Sequence, residues 1–169
     1  LVPFAVESSL SGVQKEVGDK NELWYKRTFT VPSKWKGKDI VLNFGAVDWK
    51  AEVFVNDVLI GSHKGGYTPF SFNITPYLQG SGAQKLVVRV WDPSDKGYQP
   101  RGKQTSNPEG IWYTPVTGIW QTVWLEPVAE NHITSIKAIP NVDAKVMNVT
   151  VGTSACASSI VEVKVLGKG

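Results

Sequence analysis

Apolar and polar residues alternate at a period of two through most of the chain. Between Leu23 and Val31, the side chains of Tyr25, Phe29 and Val31 share one face. Arg27 interrupts that face, so its charge must either reach past the apolar surface or meet a carboxylate. Ile40, Leu42 and Phe44 alternate next, then Ala51, Val53 and Val55, then Phe70, Phe72 and Ile74, then Leu86, Val88 and Val90. In "KAEVFVNDVLIGSH" the alternation flanks Asn56-Asp57, a pair suited to a tight turn, which predicts a hairpin. No window of about eleven residues carries the i, i+3, i+4, i+7 pattern of an amphipathic helix. Gly65-Gly66 and Gly80 to Gly82 punctuate the runs. Many short strands separated by such turns predict an all-β fold, a two-sheet sandwich or jelly roll. The segment from Asp92 to Gly118 is too long for a simple connection, and loops of that size inside a compact domain are often functional.

The pattern changes after Asn131. The residues become smaller, and Trp, Tyr and Phe no longer occur. "HITSIKAIP", "KVMNVTV" and "IVEVKVL" read as three further strands. A segment this short buries little core by itself. Residues 129–169 are therefore expected to open a second β domain, cut short here, after a first domain over residues 1–128. Pro127 to Asn131 would form the joint.

The run from Asn107 to Pro127, "NPEGIWYTPVTGIWQTVWLEP", holds three of the seven tryptophans. After Gly118, Ile119, Gln121, Val123 and Leu125 fall on one face of a strand, and Trp120, Thr122 and Trp124 on the other. If Val123 and Leu125 fill the core, both indoles point outward. Each can bury roughly 150–250 Å², so something should cover them: a loop, a neighbouring domain or a partner. With the faces exchanged, the indoles are themselves core. Trp112 and Tyr113 precede that strand, in the long loop and close to "RGKQTSN". An indole matches the apolar CH face of a sugar ring, and Arg101, Lys103, Gln104 and Asn107 supply directional partners for its hydroxyls. Alternatively, Trp112 pins the loop to the sandwich.

Composition narrows the classes. The 169 residues, 41% hydrophobic and 20% charged, fit a globular domain of ordinary composition. A net charge of +3, spread evenly, does not argue for nucleic acid. No stretch is long and apolar enough to span a membrane as a helix. Cys156 is the single cysteine, so an internal disulfide is excluded, and "TSACASS" puts no His or acid beside it to make a nucleophile. His63 and His132 are far apart and do not suggest zinc. His63, just before "KGGYTPF", is expected to orient that loop. Asp92 and Asp95 in "WDPSD" suit a turn better than a Ca²⁺ site. Neither metal nor cofactor is expected. Asn73-Ile-Thr and Asn148-Val-Thr match the glycosylation sequon by spacing alone. The opening "LVPFAVESSLSG" reads as the middle of a longer sequence. The lack of a leader then says little about location, and a periplasmic or secreted setting is compatible with it.

"LWYKRTFTVP", "VFVNDVLIGSHKGGYTPFSFNIT", "LVVRVWDPSD", "RGKQ" and "GIWYTPVTGIWQTVWLEPV" occur in an order that resembles the N-terminal sugar-binding domain of glycoside hydrolase family 2, the family of β-galactosidases, β-glucuronidases and β-mannosidases. The resemblance covers roughly residues 1 to 128. It implies a jelly-roll, galactose-binding-like first domain and an immunoglobulin-like second domain, whose first strands would be the tail. It also implies a (β/α)₈ barrel carrying two catalytic glutamates of a retaining mechanism, about 5–5.5 Å apart. The chain holds no barrel and should lack that pair, so no catalytic residue is expected in it. In such enzymes the loops of the first domain reach the barrel mouth and contact the β-glycoside. Several relatives carry an aspartate six residues before the glycine of an S/A-G-I motif. Here the glycine is Gly118 and the matching position holds Trp112, which implies an indole in place of that polar contact. The substrate-binding candidates are Asp92, Arg101, Lys103, Gln104, Trp112 and Tyr113. The leading function is an accessory sugar-binding domain that lines the cleft of a β-galactosidase-like enzyme. A stand-alone carbohydrate-binding module and a structural interaction sandwich are the alternatives.

Overall fold

In the computed structural model, residues 1–154 and 160–167 are described. The strands are β1 (Leu23–Thr30), β2 (Asp39–Phe44), β3 (Val47–Asp48), β4 (Lys50–Val55), β5 (Val58–Lys64), β6 (Phe70–Asn73), β7 (Ala83–Trp91), β8 (Gly118–Ile119), β9 (Val123–Val128), β10 (Ile133–Asn141) and β11 (Val146–Thr153). The chain divides into two compact units, Leu1–Pro127 and Val128–Gly169.

The first unit is a β-sandwich. One sheet has the order β1-β7-β4-β5 and the other β6-β2-β9. The sequence alternation becomes the two inner faces. Register sets Leu23 and Tyr25 beside Val90 and Val88, and these beside Ala51 and Val53, so one apolar row crosses the first sheet. Ile40, Leu42 and Phe44 project from the second sheet and are fully buried. The Phe44 ring stacks on Phe70 at 4.7 Å, and Phe70 meets Phe72 edge to face at 5.8 Å. Burying each such side chain contributes about 1.5–3 kcal/mol, which is what holds the two sheets together.

The predicted hairpin forms at Asn56-Asp57, and both residues take positive φ (50° and 68°), as a primed turn requires. Asn56 also ties the turn to β7 and to the segment before it. Its Nδ2 donates to the Tyr77 carbonyl (2.8 Å) and to Gln84 Oε1 (2.7 Å), while its Oδ1 accepts from the Lys85 N–H at 2.9 Å. Ile60 is an extra residue in β5, opposite the junction of Val53 and Phe54. His63 stacks on Phe70 (4.2 Å) and lies 3.1 Å from Thr68 Oγ1, which ties down the loop that follows β5.

Arg27 takes the first of its two options. It lies on the inner side of β1, level with Leu86, extends to the surface, and pairs with no carboxylate among the described residues. The tryptophans after Gly118 face outward. Val123 and Leu125 pack on the core, Trp120 is covered by the Gly66–Tyr67 loop, and Trp124 remains 38% exposed with its Nε1 donating to Glu126 at 2.7 Å.

In the second unit β10 and β11 form an antiparallel hairpin, with an irregular register between Ile133 and Ser135. Asn141 Oδ1 accepts from the Ala144 N–H (2.9 Å), and Lys145 takes a positive φ in the turn. The third predicted strand differs. Ile160–Leu166 keeps its alternation but joins no ladder among the described residues. Alternation selects a face, whereas a strand also needs a neighbour for its N–H and C=O groups. Cys156 lies outside the described residues.

Candidate functional site

β7 ends at Trp91 and β8 begins at Gly118, so the whole of Asp92–Thr117 emerges from one end of the first sheet. Its far end is held by a two-rung ladder, Val47 to Ile119 and Asp48 to Gly118. Gly118 has φ 89°, and a Cβ there would overlap the Tyr25 hydroxyl. That hydroxyl accepts the Ile119 N–H at 3.1 Å. Only glycine permits both the backbone turn and the close approach.

Beneath the segment lies a cluster of acids, Asp48 and Asp92 buried and Glu7 half-buried. Asp92 accepts the Ser94 N–H (2.8 Å) on one oxygen and the Thr117 hydroxyl (3.3 Å) on the other. Glu7 accepts the Thr117 N–H at 3.0 Å. Asp48, 3% exposed, accepts from Gln104 Nε2 at 3.0 Å. Gly66 packs directly on that carboxyl, where a methyl group would overlap it. Burial raises all three acids above the ordinary carboxylate range. Asp48 is pushed up to about 7, chiefly by desolvation, with Asp92 and Glu7 adding repulsion and the Gln104 bond opposing.

Gln104 is the hub of the loop. Its amide donates to Asp48, and its Oε1 accepts the Val116 N–H at 2.6 Å. On either side of it, Tyr113 N–H donates to the Lys103 carbonyl and Thr105 N–H to the Tyr113 carbonyl, both at 3.0 Å. The Tyr113 hydroxyl accepts the Lys103 N–H at 3.1 Å. Asp95 accepts the Ser106 N–H (2.9 Å) and the Thr105 hydroxyl (3.3 Å), and the Ser106 bond holds its carboxyl below the usual range. Both acids of "WDPSD" thus serve as loop acceptors. Among the described residues no three His, Cys, Asp or Glu side chains are grouped to hold a metal ion.

On this base sits an open depression of about 300 Å³ that Arg101, Gln104, Asn107 and Trp112 line together with Asp95 and Glu109. Three of the six sequence candidates, Arg101, Gln104 and Trp112, therefore meet at one place. Lys103 and Tyr113 are exposed on the adjoining ladder but do not line the depression. Asp92 turns inward below it, 2% exposed. Trp112 is 45% exposed, its backbone N–H held by the Glu109 carbonyl at 3.0 Å. A second aromatic wall stands alongside. Trp120 Nε1 donates to the Gly66 carbonyl (2.7 Å), and Tyr67 meets the Trp120 ring edge to face at 6.1 Å. The Tyr67 and Tyr113 hydroxyls converge on Gly102, whose missing side chain makes room for them.

Sequence reasoning missed Glu7, Asp48, Gly66 and Tyr67. Asp48 had a visible signal, a charged residue within the apolar strand run "GAVDWKAEV". Glu7 had none, because only the folded chain brings it to Thr117.

Residues 10–126 match the family described as glycosyl hydrolases family 2, sugar binding domain. A β-galactosidase of Thermoanaerobacter pseudethanolicus is 31% identical over 145 residues, which are 85% of this chain and 19% of that protein. A β-glucuronidase of Formosa agariphila is 29% identical over 143 residues, 85% of this chain and 14% of that protein. Among solved structures, the β-glucuronidase of an uncultured Clostridium species superposes with a TM-score of 0.68 at 26% identity, over 91% of this chain and 27% of that one. The chain thus spans about a fifth or less of the length of the curated relatives it matches.

Proposed function

The chain belongs to glycosyl hydrolase family 2, as its sugar-binding domain, and from that premise we propose that it lines the active-site cleft of a longer retaining glycoside hydrolase acting on a β-glycoside. The catalytic carboxylates then belong to a barrel elsewhere in the same polypeptide. Residues 1–128 form the sugar-binding domain, and residues 129–169 belong to an immunoglobulin-like second domain.

The observation that carries this reading is the half-exposed Trp112 beside Arg101 and Asn107 in one depression. The indole offers a flat apolar surface to the CH face of a sugar ring. The guanidinium and amide offer donors in fixed directions to its hydroxyls. Gln104 and Asp92 act one layer below, holding the two ends of the loop so that the exposed groups are already in place. Lys103 and Tyr113 flank the depression, where they reach a neighbouring sugar unit or the aglycone. Preorganisation of this kind limits the ordering cost of binding. Half a cleft still makes a weak site, with affinity on the order of millimolar.

The test is an NMR titration of the 169-residue chain with aryl β-galactoside and aryl β-glucuronide, together with a hydrolysis assay. The expected result is that the Trp112 indole N–H and Arg101 signals shift at millimolar sugar, without turnover. Shifts confined to another face, or turnover that survives repurification, would contradict the proposal. Micromolar affinity would instead mark a carbohydrate-binding module in its own right.

A further inference from the structure

From Pro93 to Val116 the chain hydrogen-bonds within itself and to Asp92. Among the described residues Gln104 is the exception. Its Nε2 donates to Asp48 of β3 at 3.0 Å, and its Oε1 accepts the Val116 N–H at 2.6 Å. One amide therefore ties both arms of the loop to the sandwich, and it does so through one carboxyl. Arg101 lies just before that tie. Trp112 precedes Tyr113, whose backbone pairs with Lys103 and Thr105 on either side of Gln104. Where Gln104 sits, the depression follows.

The anchor is a buried acid among other acids. Asp48 is 3% exposed, and Gly66 packs directly on its carboxyl. The titratable groups that face it are Asp92 from the end of β7, Glu7 from the N-terminal segment and Tyr67 from the loop after β5, with Tyr113 beyond Tyr67. None of these brings a positive charge, and no Lys, Arg or His side chain pairs with Asp48 among the described residues. A neutral carboxyl fits this place. An ionised one has the Gln104 amide as donor but two acids for neighbours, and it is shut off from water. It gains water only if the loop above it lifts. The seated loop thus retains the proton, with the carboxyl raised to about 7, whereas a lifted loop wets Asp48 and returns it to the ordinary range near 4.

We propose that protonated Asp48 is a positioning residue of the sugar site: it seats Gln104, and its ionisation releases the loop that carries Arg101 and Trp112. The inference rests on the reading of that depression as the sugar site. Its direction follows from the two states. The lifted loop ionises at the lower pH, so seating is strongest in acid and weakens as pH rises from about 4. The loss levels off above about 7, where Asp48 is charged in both states. Asp92 and Glu7 are raised as well and act the same way from the ends of the loop. Sugar affinity falls with the fraction of seated loop. Asparagine at position 48 keeps an acceptor for Gln104 and does not titrate, whereas alanine keeps neither property.

The test reads the loop of the 169-residue chain first without sugar, by NMR hydrogen exchange corrected for the intrinsic pH dependence of amide exchange. Between pH 5 and pH 7.5 the Val116 amide should lose at least tenfold of its protection, and above that range the loss should stop. At each pH it should exchange at least tenfold faster than the amides of β4, because the loop lifts while the sandwich stays folded. Asp48→Asn should leave less than a threefold change across the same range. Asp48→Ala should be at least tenfold less protected than the parent at pH 5. Parent protection that ignores pH, an Asp48→Asn variant with the parent's profile, or an Asp48→Ala variant as well protected as the parent would overturn the inference. Should the alanine variant fail to fold, the asparagine profile decides. A neutral aryl β-galactoside is then titrated at both pH values. Its Kd, read at the Trp112 indole, should be at least threefold weaker at pH 7.5 than at pH 5 in the parent and equal at both in Asp48→Asn. The expected loop profile without any sugar-induced shift at Trp112 defeats the sugar reading alone, and binding at Trp112 that ignores pH defeats the inference alone.

Discussion

Replacing Asp48 by asparagine should make the first unit more stable at neutral pH and leave it little changed in acid. Asp48 is buried beneath Gly66, next to Gln104, and its carboxyl is raised from 3.8 to about 7. The folded state therefore keeps a proton that the unfolded chain releases near pH 4. Stability from this group is full below that pH, falls as pH rises, and is lost once pH passes about 7. At about 1.4 kcal/mol per pKa unit, the rise from 3.8 to about 7 corresponds to at most about 4 kcal/mol. Asparagine keeps an oxygen to accept the Gln104 amide and carries no charge. Asp48→Asn and the parent should then match near pH 4 and diverge by about 2–4 kcal/mol at pH 8. Urea unfolding followed by tryptophan fluorescence measures this cleanly, because all seven tryptophans precede Pro127 and report on the first unit. A difference that stays flat from pH 4 to pH 8, or a variant less stable throughout, would refute the reasoning.

The remaining predictions concern packing and the turns that hold the loops. Phe44→Ala empties the centre of the core between Phe70 and the first sheet and should cost about 3–5 kcal/mol in urea unfolding. Asn56→Ala removes three hydrogen bonds and leaves a positive φ to a residue that resists it. A loss of about 2–4 kcal/mol is expected in the same assay. Gly118→Ala drives a methyl group into the Tyr25 hydroxyl at φ 89°. It should lower stability by about 2–4 kcal/mol and abolish the sugar-induced shifts at Trp112, as read by melting and NMR.

Much of the sandwich was legible because its determinants are periodic. Ile40, Leu42 and Phe44 declare an inner face without any knowledge of the partner sheet, and Asn56-Asp57 declares a primed turn by its tolerance of positive φ. Alternation also set Val123 and Leu125 on the side opposite Trp120 and Trp124, but which side met the core stayed open until the folded chain packed Val123 and Leu125 inward. The loop was legible only by residue type. Arg101, Gln104 and Trp112 do line one depression, but Gln104 and Asp92 are buried and their polar groups are taken up by the fold. No periodicity in an irregular segment states which way a side chain faces. The Asp48–Gln104 bond joins residues 56 apart in sequence, so it exists only through the ladder that seats β3 against β8. Ile160–Leu166 joins no ladder among the described residues for a similar reason, because pairing belongs to two segments and the alternation of one cannot supply it.

The central claim, that the Trp112 depression contacts the sugar during turnover, is tested most directly by the steady-state kinetics of the longer hydrolase carrying Trp112→Ala. An aryl β-glycoside should be hydrolysed with kcat/KM reduced at least tenfold, about 1.4 kcal/mol of lost transition-state binding, at an unchanged melting temperature. A kcat/KM equal to that of the parent enzyme, with the fold intact, would contradict it.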